Sequence, residues 1–127
     1  MTRVVLDASA VISLLKEDRG ASKVAAVVAD AVIGSVSHAE VVGHYMRLGA
    51  PADEIRTMLE ALPIEVVVVD EALSWEVGAL GAAAVNLSLG DRFCLALARR
   101  LEQPAYTADL ALKEAAAATG VKVVLVR

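Results

Sequence analysis

Short β-branched runs alternate with longer stretches of helical periodicity along the whole chain, and this alternation constrains the fold more than any other feature of the sequence. Residues 3–6 read as a strand and 8–17 as a helix that runs into charge and Gly20. Residues 22–30 are helical, 31–36 form a short strand, and 38–48 form a helix stopped by Gly49. Pro51 suits a first helical turn, continued by ADEIRTMLEAL. The run IEVVVV at 64–69 is the clearest strand, and its unbroken apolar character predicts burial on both faces. Helices follow over 71–85, weakened by Gly78 and Gly81, and over 92–102. A short strand at 105–107, a helix over 110–119 closed by Gly120, and a strand at 121–126 complete the chain. Strands separated by helices predict a parallel sheet with right-handed crossovers, which is an α/β fold.

A length of 127 residues suffices for one domain with a proper core and is too short for two, so residues 1–127 are expected to form a single domain. The chain is 57% hydrophobic but has only one Trp, two Tyr and one Phe, so Ala, Val and Leu must fill the core. Apolar stretches are broken by charge or Gly before the ~18 residues that a membrane span requires. Thr2 and Arg3 lead directly into the first strand-like run without the layout of a signal peptide. These features predict a soluble, cytoplasmic protein that does not engage a membrane. The single cysteine, Cys94, lies in the apolar run FCLALA; it rules out a disulfide framework within the chain and reads as a buried structural thiol.

The net charge of −4 is unusual for a protein that holds nucleic acid by bulk phosphate attraction. Any such role must rest on local patches or on bound cations. The stretch VVLDASAVISLL adds a second constraint, because Asp7 interrupts what otherwise reads as core. A lone buried acid costs several kcal/mol unless it is paired, hydrogen-bonded or bound to metal.

Four acids fall at strand-to-helix junctions. Asp7 follows the first strand, Glu40 opens the helix after the second, Asp91 opens the helix leading to the fourth, and Asp109 follows the fourth. Ligands of open parallel sheets bind beyond the carboxyl ends of the strands, where these junctions lie. The residues at i+3, i+4 and i+7 from Asp91 are Cys94, Leu95 and Ala98, which places Asp91 on an inward face, with Arg92 and Arg99 on the opposite, solvated one. Each acid also has a local explanation. SHAE (Ser37 to Glu40) and SLGD (Ser88 to Asp91) match the capping box, and Asp7 and Asp109 suit N-caps. Capping accounts for any one of them; all four at converging junctions favour a shared site.

The elements VVLDASA (Asp7, Ser9), SHAEV (Glu40), LSLGDRFCLALA (Asp91) and YTAD (Thr107, Asp109) resemble the PIN-domain nucleases, and in particular the VapC-type toxins of toxin–antitoxin pairs. The match runs through the entire chain in order. It implies an α/β/α sandwich around a parallel sheet, with four carboxylates holding Mg²⁺ or Mn²⁺ for endonucleolytic cleavage of RNA. It also implies a homodimer whose cognate antitoxin masks the acid groove. Many relatives carry an aromatic residue after TAD, where this chain has Leu110 and Leu112. Mg²⁺ takes one or two carboxylates directly and keeps several waters. Asp7 and Asp91 are expected as direct ligands, with Glu40 and Asp109 acting through water or positioning the nucleophile. Ser9 and Thr107 are expected to orient carboxylates or waters.

Other polar residues read more plainly. His44 and Arg47 fall at i+4 and i+7 from Glu40 and either border the groove or form a wet helix face. His38 carries no expected role. Trp75 and Tyr45 are expected in a core or a dimer surface rather than stacked on bases, and Arg99 and Arg100 complement a helix C-terminus. One rival is a receiver-like phosphoacceptor module, suggested by Asp70 after IEVVVV; it lacks the paired acids after the first strand and the Lys after the last. A metal-free binding module and a housekeeping RNA-processing nuclease complete the alternatives.

Overall fold

The structure is a computed structural model that describes residues 2–127. Five parallel strands, β1 (Val4–Leu6), β2 (Ala31–Gly34), β3 (Glu65–Val67), β4 (Ala105–Thr107) and β5 (Val123–Leu125), lie in the order β3-β2-β1-β4-β5. Seven helices connect them: α1 (Ala8–Lys16), α2 (Ala21–Ala25), α3 (Ser35–Arg47), α4 (Ala52–Glu60), α5 (Glu71–Ala83), α6 (Leu89–Leu101) and α7 (Leu110–Ala116). The period of two along each strand splits the core between the two faces of the sheet. Val4, Leu6, Ala31 and Ile33 pack against α1 to α4, whereas Val5, Val32 and Ala105 pack against α5, α6 and α7. The result is the expected three-layer α/β/α sandwich. No helix among the described residues is long and apolar enough to cross a membrane.

This strand order fixes where chemistry can occur. After β1 the chain first builds outward through β2 and β3, then returns to place β4 on the other side of β1. The crevice between the carboxyl ends of β1 and β4 is the switch point of the sheet, flanked by Asp7 and by the turn after Thr107. The same order removes the receiver-like reading. Asp70 follows the outermost strand, caps α5 through the Leu73 N–H at 2.8 Å, and pairs with Arg100 at 3.1 Å.

Several local expectations are corrected. The IEVVVV segment contributes only Glu65–Val67 to the ladder, as an edge strand, and Val66 and Val68 are 44% and 77% exposed. β-Branched runs favour a pleated surface but do not distinguish an edge from a centre. The expected helix over 22–30 is α2 followed by a 3₁₀ turn at Val28–Asp30. SHAE is no capping box, because β2 ends at Gly34 and α3 begins at Ser35, leaving Ser37 buried inside the helix. A Cβ on Gly34 would already touch Leu97 at 3.4 Å, so this junction is where β2 passes closely over α6. Arg92 is not on a solvated face. It is half-buried across Gly81 of α5, where a Cβ would run into its guanidinium. Trp75 is 76% exposed, which excludes it from the core. Cys94 is buried as expected, and burial pushes its thiol well above its ordinary pKa, with the charges of Asp7, Asp91 and Glu40 adding to the effect.

Candidate active site

Asp7 leaves β1 in extended conformation and caps α1, accepting the Ala10 N–H at Oδ1. Ser9 Oγ donates to the same oxygen at 2.7 Å, and Thr107 Oγ1 donates to Oδ2 at 2.6 Å. The two hydroxyls are themselves held by the turn after β4: the Ala108 N–H donates to Ser9 Oγ, and the Asp109 N–H donates to Thr107 Oγ1. Each hydroxyl has one proton and spends it on Asp7. The chain thereby ties the ends of β1 and β4 together across about a hundred residues and fixes the carboxylate plane. A carboxylate offers about four lone-pair directions. Three are used here, which leaves one on Oδ2 free.

Asp91 is the third residue of α6 and half-buried. The Ser88 capping box is present, with the Asp91 N–H donating to Ser88 Oγ at 3.2 Å and the Ser88 N–H donating to Asp91 Oδ2 at 3.3 Å. Capping and site membership thus coexist, because the box occupies only one carboxylate oxygen. Asp109 is divided in the same way. Its Oδ1 caps α7 through the Ala111 and Leu112 N–H groups, while its exposed side borders the crevice.

Glu40 is the sixth residue of α3 rather than its opening residue. Its carboxylate reaches across to the first turn of α6, where a Cβ on Gly90 would stand 2.5 Å from Oε1. Gly90 is the position of the candidate site that reading the sequence missed. The glycine beside Asp91 in SLGD is the visible signal, because close approach of another chain atom to a helix backbone requires a residue without a Cβ. Gly90→Ala is expected to push the Glu40 carboxylate away from the first turn of α6. Fold stability should be unchanged or raised by up to ~1 kcal/mol. A crystal structure of the variant beside melting curves checks this; a Glu40 carboxylate left in place overturns it.

Asp7, Ser9, Glu40, Asp91 and Asp109 line one cleft of about 270 Å³, together with His44, Arg47 and Gly90. Thr107 lies fully buried beneath it. Burial raises the pKa of Asp7 above its ordinary value against the pull of the Thr107, Ala10 and Ser9 hydrogen bonds, and the Asp91 charge raises it further. Glu40 is raised by desolvation and then by the charges of Asp91 and Asp7. The donor set is wholly carboxylate and hydroxyl oxygen, suited to a hard divalent cation. No group of three His, Cys, Asp or Glu side chains among the described residues is arranged to hold an ion by itself. Asp7 keeps one lone pair and Asp91 one oxygen outside their hydrogen bonds to protein.

The sequence matches the PIN domain model over residues 4–118, and the chain belongs to the PIN domain family, a family of nucleases. Solved structures share the fold. A chain of a toxin–antitoxin complex from Klebsiella pneumoniae is similar with a TM-score of 0.79 over 98% of both chains, at 18% identity. A chain of the DNA-bound VapBC from Salmonella typhimurium gives 0.77 over 100% of both, at 15% identity. A chain of FitAcB from Neisseria gonorrhoeae gives 0.70 over 97% of both, at 17% identity. A comparison with curated proteins finds no match.

Proposed function

We propose that the protein is the VapC-type toxin of a toxin–antitoxin pair, a cytoplasmic, Mg²⁺-dependent endoribonuclease. The observation that carries this reading is the convergence of Asp7, Glu40, Asp91 and Asp109 on one cleft at the sheet's switch point, with no salt bridge to any of them among the described residues. The neighbours in fold that are themselves toxin–antitoxin complexes support the biological role.

In this reading Asp7 and Asp91 bind the ion directly, and Glu40 and Asp109 act through water. When bound, Mg²⁺ or Mn²⁺ supplies Lewis-acid activation of water and offsets the charge that builds on the phosphate oxygens. Ser9 and Thr107 hold Asp7 in one orientation, so no side-chain rearrangement is needed at the moment of reaction. The attacking water forms the new bond to phosphorus as the phosphodiester P–O bond breaks, and the departing ribose oxygen takes a proton from solvent. Among the described residues Glu40 is the cleft acid that makes no hydrogen bond to protein, so its carboxylate is free to take the proton released. Incubating the purified protein with single-stranded RNA and Mg²⁺, then with EDTA, tests the proposal. Internal cleavage that EDTA abolishes supports it, and intact RNA in both overturns it. An antitoxin reading frame adjacent to the gene separates a toxin from an RNA-processing enzyme.

We also propose a homodimer, with a cognate antitoxin covering the acid cleft. Exposed apolar side chains support this reading: Met46 and Leu48 at the end of α3, Val66 and Val68 on the β3 segment and Trp75 on α5. An open strand edge with an apolar flank is a surface that proteins normally cover. Light scattering is expected to report twice the 13.2 kDa chain mass. A monomer at high concentration removes the dimer.

A further inference from the structure

Helix α3 brings more than Glu40 to the cleft. His44 and Arg47 follow at i+4 and i+7 on the same face, and both line the crevice with the acids. The imidazole of His44 stands edge-on to the Tyr45 ring, with centroids 5.0 Å apart, and its Nε2 is buried without a hydrogen-bond partner. A buried polar atom left unpaired costs free energy that a ligand can recover.

Arg47 is unpaired as well. Like Arg19, Arg56, Arg92 and Arg99 it has no salt-bridge partner within 4.0 Å among the described residues, but it alone of these shares the cleft with the four carboxylates. Its guanidinium instead folds back over Gly43, where a Cβ would lie 3.3 Å from Nη1. Among the described residues the cleft's only basic side chains therefore stand together at its α3 end, neither with an anionic partner. On the other side of Asp91 and Asp109 a second cleft, of about 480 Å³, is lined by Asn86, Ser88 and Glu114 among others and has no Lys, Arg or His.

We propose that His44 and Arg47 are the phosphate-binding end of the site. The His44 ring, only partly buried, turns to bring Nε2 to the cleft surface, where it donates to a non-bridging oxygen of one phosphate of a single-stranded RNA, and Arg47 engages the adjacent phosphate. The charge asymmetry between the two clefts then sets the direction in which the strand lies over the carboxylates. This inference rests on the nuclease reading above, and its test separates the two.

The probe is a fluorescein-labelled oligouridylate, titrated by anisotropy with Ca²⁺ in place of Mg²⁺ and checked on a gel for intactness. Arg47→Gln is expected to weaken binding about tenfold and to reduce the slope of log K against log salt by about 0.7, the loss of one phosphate contact. His44→Leu should weaken binding about tenfold, and His44→Gln, which restores a donor near the Nε2 position, should recover most of it. Melting curves confirm that each variant is folded. In cleavage assays the same variants should raise KM with kcat retained. Unchanged affinity in both Arg47→Gln and His44→Leu overturns the proposal, as does wild-type protein that binds no RNA. Wild type that binds RNA in this pattern but cleaves none with Mg²⁺ keeps the phosphate pair and loses the nuclease. Wild type that cleaves, with affinity unmoved by either variant, does the reverse.

Discussion

Asp91→Asn is expected to lower Mg²⁺-dependent RNA cleavage by at least about a thousandfold, while the metal-free protein melts at or above the wild-type temperature. The two effects have one cause. Asp91 adds its charge to a cleft that already holds Asp7 and Glu40, and that charge helps to raise the pKa of both. A carboxyl whose folded pKa lies above its unfolded value contributes stability that is fully present below the unfolded pKa and is lost as pH rises through the folded one. For Asp7 the unfolded reference is 3.8, so without metal the cleft destabilises the fold once pH exceeds the raised value. Removing the Asp91 charge relieves part of that loss. The advantage of the variant should open as pH rises through the carboxylate range and vanish in acid.

Asn retains a side-chain oxygen to accept the Ser88 N–H, so the capping box survives and only a charge–dipole contribution of ~0.3–1 kcal/mol is lost. Metal reverses the order of stabilities. Wild type should gain about 2.7 kcal/mol at a hundredfold excess of Mg²⁺ over its dissociation constant, and the variant much less. Melting curves with EDTA and with Mg²⁺ decide the matter. An equal Mg²⁺ shift in the two proteins would sink Asp91 as a ligand.

Expression of the protein without its partner is expected to arrest growth, and Asp7→Ala to relieve the arrest. Asp7 is the most constrained of the four acids, fastened by Ser9, Ala10 and Thr107, so losing its carboxylate removes both a ligand and the anchor of the β1–β4 junction. Relief by Asp7→Ala could reflect a damaged fold, since the α1 cap is lost as well. Asp7→Asn separates the two causes, because Asn caps helices as well as Asp does. It should also relieve the arrest, with soluble protein accumulating. Normal growth with abundant soluble wild-type protein would count heavily against a toxin.

The acids of the candidate site were legible in the sequence for a local reason. Asp7, Asp91 and Asp109 each interrupt or follow an apolar period at the end of a strand or the start of a helix, and such junctions are encoded by neighbouring residues, whereas Glu40 lies inside α3. Asp7 after VVL, Asp91 in SLGD and Asp109 in TAD are visible as caps whether or not they share a site. The alternation of strands and helices was equally local, and with it the parallel sheet clothed in helices. Sequence reading erred where a short motif had two fates. IEVVVV has the same β-branched character at an edge as at a centre, and SHAE matches a capping box although its helix starts two residues earlier.

Taken alone, then, the sequence determined the α/β class, the sites of its junctions and the identity of the four carboxylates. Periodicity, capping and turn chemistry act over a few residues, and those few residues specify them. Only the tertiary structure decided that β4 returns beside β1, that β3 lies at the edge, that Glu40 enters the cleft from inside α3 because Gly90 carries no Cβ, and that Arg47 stands among carboxylates without pairing to any. These depend on contacts between segments tens to a hundred residues apart. Such contacts are set by which apolar faces can be buried together and how closely two backbones can approach, and no short stretch of sequence records either.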